Sequence, residues 1–163
     1  MVLDLNGLSA DQAPEISAPL RFFLTAPLFG ILAGLLIFFS DTDTLWSRYS
    51  MESIAVTHAI TIGFLGFVML GALTQMLPVL SGVSVPNVAK ISKISHVSLV
   101  FGTLFMIFGL LYEIKPMIFS ASLLLGIGFL IMIVAMVFAL RKVINVTSSV
   151  RAIRTSLVFA FII

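Results

Sequence analysis

Four stretches of this chain carry no Asp, Glu, Lys or Arg and are each long enough to cross a bilayer: Phe22–Ser40, Ser53–Leu80, Ile94–Tyr112 and Pro116–Leu140. A helix needs about 20 residues to span the ~30 Å hydrocarbon layer. Within that layer no water satisfies backbone N–H and C=O groups, so each segment must satisfy its own as a helix. The expected fold is therefore all-α, a polytopic transmembrane helix bundle. The balance of residues agrees, with 60% hydrophobic and 10% charged and a mean hydropathy of +1.22. Those values exclude a soluble enzyme core. A further apolar run, Thr155–Ile163, covers only ~13 Å at about 1.5 Å per residue. It is expected to be an incomplete fifth helix of a longer polypeptide. The domain plan is thus a cytoplasmic segment over 1–17 and a transmembrane domain over 18–163, with helices at 22–40, 53–80, 94–112, 116–140 and 155–163.

The distribution of charge sets an expected orientation. With loops numbered alternately, Arg21, Lys90, Lys93, Arg141, Lys142, Arg151 and Arg154 share one side, against Arg48 and Lys115 on the other. The positive-inside rule then places the N-terminus in the cytoplasm. Trp46, Tyr49 and Tyr112 fall at the opposite interface, where amphipathic rings anchor. Residues 1–19 carry Asp4, Asp11 and Glu15 and no basic residue, which is not the pattern of a secretory or organelle-import signal. The chain has no cysteine, which excludes disulfides, thiolate-held iron–sulfur clusters and covalent c-type haem within it. The net charge of +2 is too small and dispersed for a nucleic-acid partner. The expected surroundings are the lipid bilayer, with a second copy or the remaining helices of a longer chain packed alongside.

His58 and His96 are the only histidines, and both are expected just inside the starts of spanning helices. An ionisable ring in a membrane segment marks a candidate functional site, and imidazole is a common ligand of haem iron and transition metals. The second helix runs from the outer face inwards and the third runs back, so the two rings are expected at opposite faces. From His58 to Leu80 is 22 residues, or about 33 Å of rise, which places the rings roughly 20 Å or more apart. One copy cannot bring both to a single metal.

Other polar groups qualify as supporting residues. Gln75 is expected at the depth of His96, where it either satisfies that ring or fixes its orientation as a ligand. Thr57 and Thr61 stand near His58, although threonine often bonds its own helix carbonyls. Arg21 either snorkels to headgroups or clamps a carboxylate such as a haem propionate. His58, Ile62, Leu65, Met69 and Met76 fall on one face at 100° per residue. Thioethers suit copper(I), but Met69 lies ~16 Å along the axis from His58, so core packing is the expected role of the methionines. Gly30 and Gly34 form a G-x-x-x-G, and Gly63, Gly66, Gly71, Gly102, Gly109, Gly126 and Gly128 thin the other helices, either for close packing or to make room for a flat macrocycle opposite a histidine. Pro27 and Pro78 are expected to bend their helices, and Glu52 and Glu113 to act as solvated ends.

The stretch Arg21-Phe22-Phe23-Leu24, the run from His58 to Gly82 (HAITIGFLGFVMLGALTQMLPVLSG) and His96 early in the next helix resemble bacterial membrane proteins related to haem–copper oxidase subunit I. NnrS-type haem- and copper-containing proteins look the most similar. The resemblance covers roughly residues 18 to 112. It implies a bacterial inner-membrane protein binding haem b, or copper, with His58 one ligand near the outer face and His96 a second. It also implies a redox or haem- and copper-handling role beside a respiratory partner. Two features depart from the family pattern: a lone His58 between Thr57 and Ala59 where a paired His-x-His is usual, and a shorter chain. Two histidines cannot assemble the low-spin haem, high-spin haem and copper of a terminal oxidase. The alternatives are a non-catalytic structural membrane subunit with buried histidines and a small transporter. The transporter reading lacks a mid-membrane acid or paired charge.

Overall fold

The computed structural model describes residues 14–41, 43, 47–143 and 147–162, with backbone only from 160 onwards. Trp46 and residues 1–13 of the N-terminal segment lie outside the described residues. The helices are α1 (Ser17–Phe39), α2 (Met51–Ser81), α3 (Val88–Leu111), α4 (Lys115–Arg141) and α5 (Ser148–Ile162). Among the described residues the first four are long and apolar enough to cross a membrane. The protein is a membrane-embedded helical bundle.

Local chemistry explains where these helices start and stop. Ser50 caps α2 by accepting a hydrogen bond from the Ser53 N–H at 3.2 Å, the usual service of a serine at this position. Gly82 ends α2 with φ +67°, its N–H donating to the Pro78 carbonyl at 2.9 Å. That left-handed turn is cheap only without a Cβ. The α3–α4 turn closes with the Ile114 N–H on the Gly109 carbonyl at 2.8 Å, and proline stands at the start of α4, where its missing N–H is harmless.

Three helix starts differ from the sequence expectation for one reason. Helix α1 starts at Ser17, not Phe22, α3 at Val88, not Ile94, and α5 at Ser148, not Thr155. Lysine and arginine are good helix formers. Arg21, Lys90, Lys93, Arg151 and Arg154 therefore lie within helices, and charge marks the membrane boundary and not the helix end. At 15 residues α5 is longer than expected, yet its ~22 Å still falls short of a crossing.

Contacts across the bundle define its antiparallel order. A Cβ on Gly71 would meet Phe23, while one on Gly63 would lie 2.5 Å from Cγ of Phe29. Residue numbers thus rise along α1 as they fall along α2. Helices α3 and α4 pair in the same sense: Gly109 faces Ile118, Gly102 faces Leu125 and Gly128 faces Leu99. The Ser95 and Ser98 hydroxyls reinforce that pair by donating to the Gly128 and Leu124 carbonyls at 2.8 and 2.7 Å. Glycine here admits a neighbour to within backbone distance, as membrane packing without a hydrophobic driving force requires. The G-x-x-x-G of α1 does otherwise. Gly34 has nothing within 4 Å of its Cβ position, and Gly30 meets only Phe64.

The second helix is not uniform. An α-helical start (Met51–His58) passes into a π-helical stretch (Ala59–Gly66) and back to α-helix (Phe67–Ser81). Such i→i+5 winding is rare and concentrates at functional positions. Here it coincides with the close approach of Gly63 to Phe29. Thr57 and Thr61 bond the carbonyls of Ser53 and Thr57 at 2.8 and 2.7 Å. They supply acceptors with partners where the backbone pattern changes. Met69 and Met76 lie 62% and 48% exposed on the outside of the bundle, not in the core where the sequence pattern placed them.

Candidate functional site: two separate histidine environments

His96 is held in an aromatic and hydroxyl cage formed by three helices. Its ring meets Phe22 of α1 and Phe67 of α2 edge-on, with centroids 5.3 and 5.6 Å away and both interplanar angles 78°. Phe67 in turn touches Phe29 and Phe22 at 5.3 and 5.9 Å. The Thr25 hydroxyl sits 2.8 Å from Nε2 of His96 and donates its own proton to the Arg21 carbonyl at 2.8 Å. With that single proton committed, Thr25 accepts from His96, so Nε2 carries the hydrogen. This is the tie that joins α1 to α3.

The cage also sets the depth of His96. It lies eight residues beyond Val88, about 12 Å into α3 and not at its start. Its partner Phe67 is nine residues past His58, at most ~14 Å of rise, so the two imidazoles are closer along the membrane normal than the expected ~20 Å. The two rings have separate partners, the Ile54 carbonyl for His58 and the Thr25 hydroxyl for His96.

His58 has a different setting. It is the last residue before the π stretch, half-buried, with Nδ1 2.8 Å from the Ile54 carbonyl. A carbonyl only accepts, so Nδ1 carries the proton and Nε2 presents its lone pair. No described residue takes that lone pair. A ring whose Nδ1–H is pinned by a backbone carbonyl is oriented as metal-bound histidines usually are.

Gln75 does not join either histidine. It is exposed on α2 and borders a hollow with Pro19, Leu20 and Phe23. The expectation failed because the depth of His96 was set by an assumed helix start at Ile94, six residues too late. The partner of His96 is Thr25, which sequence reasoning missed. Its signal was a hydroxyl on the Phe22 face of α1, four residues after Arg21. Arg21 is half-buried, its Nε donating to the Ser17 carbonyl at 2.9 Å, a snorkelling posture toward the helix start.

His58, His96, Arg21 and Gln75 therefore do not converge, and as a set they do not fit one haem held within a single copy. Among the described residues no three His, Asp or Glu side chains gather as a metal site. His58 alone has the donor atom and orientation of a ligand. Compared with protein-family models, curated proteins and solved structures, the chain matches none.

Proposed function

We propose that this is a multi-pass protein of the bacterial inner membrane, N-terminus cytoplasmic, in which His58 would hold haem b, and which serves respiratory electron transfer or haem and copper handling. The observation carrying this reading is the His58 ring, with Nδ1–H on the Ile54 carbonyl at 2.8 Å and Nε2 unpartnered beside a π-helical turn. The resemblance of the His58–Gly82 run to haem-containing membrane proteins adds to it. A further ligand would have to come from a second copy or another polypeptide, since Nε2 of His96 is already hydrogen-bonded to Thr25. Copper is the alternative occupant of His58, without help from the outward-facing Met69 and Met76.

A structural membrane subunit is the second reading, favoured by the fully partnered Nε2 of His96. The absorption spectrum of protein produced with haem and copper supplied separates the two. The proposal expects a Soret band that His58→Ala abolishes and His96→Ala retains in folded protein. No haem and no copper under those conditions would leave the structural subunit as the function. Loss of one haem in both variants alike would overturn the assignment of separate roles.

A further inference from the structure

Helices α4 and α5 run antiparallel and diverge enough to leave an apolar groove at the basic face of the bundle. Two adjoining hollows of about 390 and 490 Å³ share Val137, Leu157 and Val158 as walls and Arg141 at the rim. Each lies within the roughly 300–1,000 Å³ of small-molecule pockets. Arg154 borders the first hollow and Phe138 the second. One side of the groove opens outwards, with Val158 58% exposed.

Both guanidinium groups are held in position without being neutralised. Arg154 gives one N–H, from Nη2, to the Leu140 carbonyl at 2.7 Å, near the electron-rich C-terminus of α4. The Arg141 guanidinium stacks over Phe138, 5.5 Å from the ring centre. Among the described residues neither is paired with a carboxylate. Each arginine retains further donors suited to a phosphate oxygen. Arg141 ends α4, and beyond Arg154 the α5 sequence turns apolar. The pair thus stands at headgroup depth, above hydrocarbon-lined walls.

We propose that this groove is a binding site for one anionic phospholipid, with its phosphate between Arg141 and Arg154 and an acyl chain along Val137, Leu157 and Val158. Charge complementarity selects the occupant. A zwitterionic lipid brings a cationic headgroup against two guanidiniums, whereas an anionic one brings only phosphate and hydroxyl acceptors. Free phosphate satisfies the arginines but leaves the apolar walls uncovered. Basic pockets beside membrane helices recognise anionic headgroups on these grounds.

The test uses the full chain in neutral detergent and native mass spectrometry, titrating dioleoyl-phosphatidylglycerol, dioleoyl-phosphatidylcholine and inorganic phosphate separately. The proposal expects phosphatidylglycerol to bind at least about tenfold more tightly than phosphatidylcholine, the equivalent of one charge-assisted hydrogen bond. Arg141→Gln, which leaves the Arg154 contact to Leu140 intact, should remove most of that preference. Val158→Trp keeps both charges but fills the groove, so it should weaken both lipids together. Arg48→Gln, outside the groove, should change neither. Equal binding of the two lipids, a preference that survives Arg141→Gln, indifference to Val158→Trp, or displacement of the lipid by phosphate alone would each overturn the proposal.

Discussion

Replacing Thr25 with valine keeps the shape of the side chain and removes its hydroxyl. Two hydrogen bonds are lost, to the Arg21 carbonyl and to His96, each 2.8 Å long. The Arg21 carbonyl keeps its helical N–H partner, so the cost concentrates on the imidazole. Its N–H is left between Phe22 and Phe67 with only the Arg21 backbone carbonyl, already bonded within its own helix, as an acceptor in reach. Leaving a buried donor unpaired costs about 1–3 kcal/mol in general, while interhelical hydrogen bonds in membranes average about 0.6 and reach about 1.7 kcal/mol. Between these ranges, Thr25→Val should destabilise the bundle by about 1–1.5 kcal/mol. His96→Phe offers the matching partner, because a phenyl ring can keep the edge-on contacts seen at 5.3 and 5.6 Å. Once phenylalanine occupies position 96 there is no N–H to orphan, and Thr25→Val should become nearly neutral. The double-mutant cycle, read by reversible unfolding in mixed micelles, should show a coupling of about 1 kcal/mol, roughly fivefold in the folding constant. A coupling inside the 0.3–0.5 kcal/mol scatter of independent sites, quoted as an order of magnitude, would refute the assignment of His96 as an interhelical tie.

Three further outcomes follow from the packing and the orientation. Gly63→Ala should cost about 1–3 kcal/mol by overpacking against Phe29, while Gly34→Ala, with nothing within 4 Å, should leave thermal stability within about 0.5 kcal/mol; equal effects would contradict the antiparallel α1–α2 contact. Gly82→Ala should lower stability by about 1 kcal/mol through its φ of +67°, and an unchanged melting temperature would mean that the turn adopts another conformation. Because the chain has no native cysteine, Ser84→Cys and Glu113→Cys can be probed in intact cells with a membrane-impermeant maleimide; labelling of position 113 and protection of 84 is expected, and the reverse pattern would invert the proposed orientation.

Much of the architecture was legible in one dimension. Uncharged length determines where helices can cross hydrocarbon, since the bilayer is ~30 Å thick and backbone groups have no partner there but their own helix. That argument needs no knowledge of neighbours, and it located all four spanning helices. The absence of cysteine and the presence of only two histidines likewise bounded the chemistry before any contact was known.

The tertiary structure decided everything that depends on depth, phase and partner. Lys90 and Lys93 look like the end of a helix in sequence but lie inside α3, and that shift moved His96 away from Gln75 and into the Thr25–Phe22–Phe67 cage. Met69 and Met76, core in the sequence pattern, lie 62% and 48% exposed on the outside of the bundle. Glycines 30 and 34 have the spacing of a packing motif yet meet almost nothing, while Gly63 admits Phe29. The physical reason is common to all three cases. Hydrophobicity is a property of each segment, but in a membrane nearly every face of a helix is apolar, so residue pattern alone does not say which face meets protein. Only the positions of the neighbouring helices do.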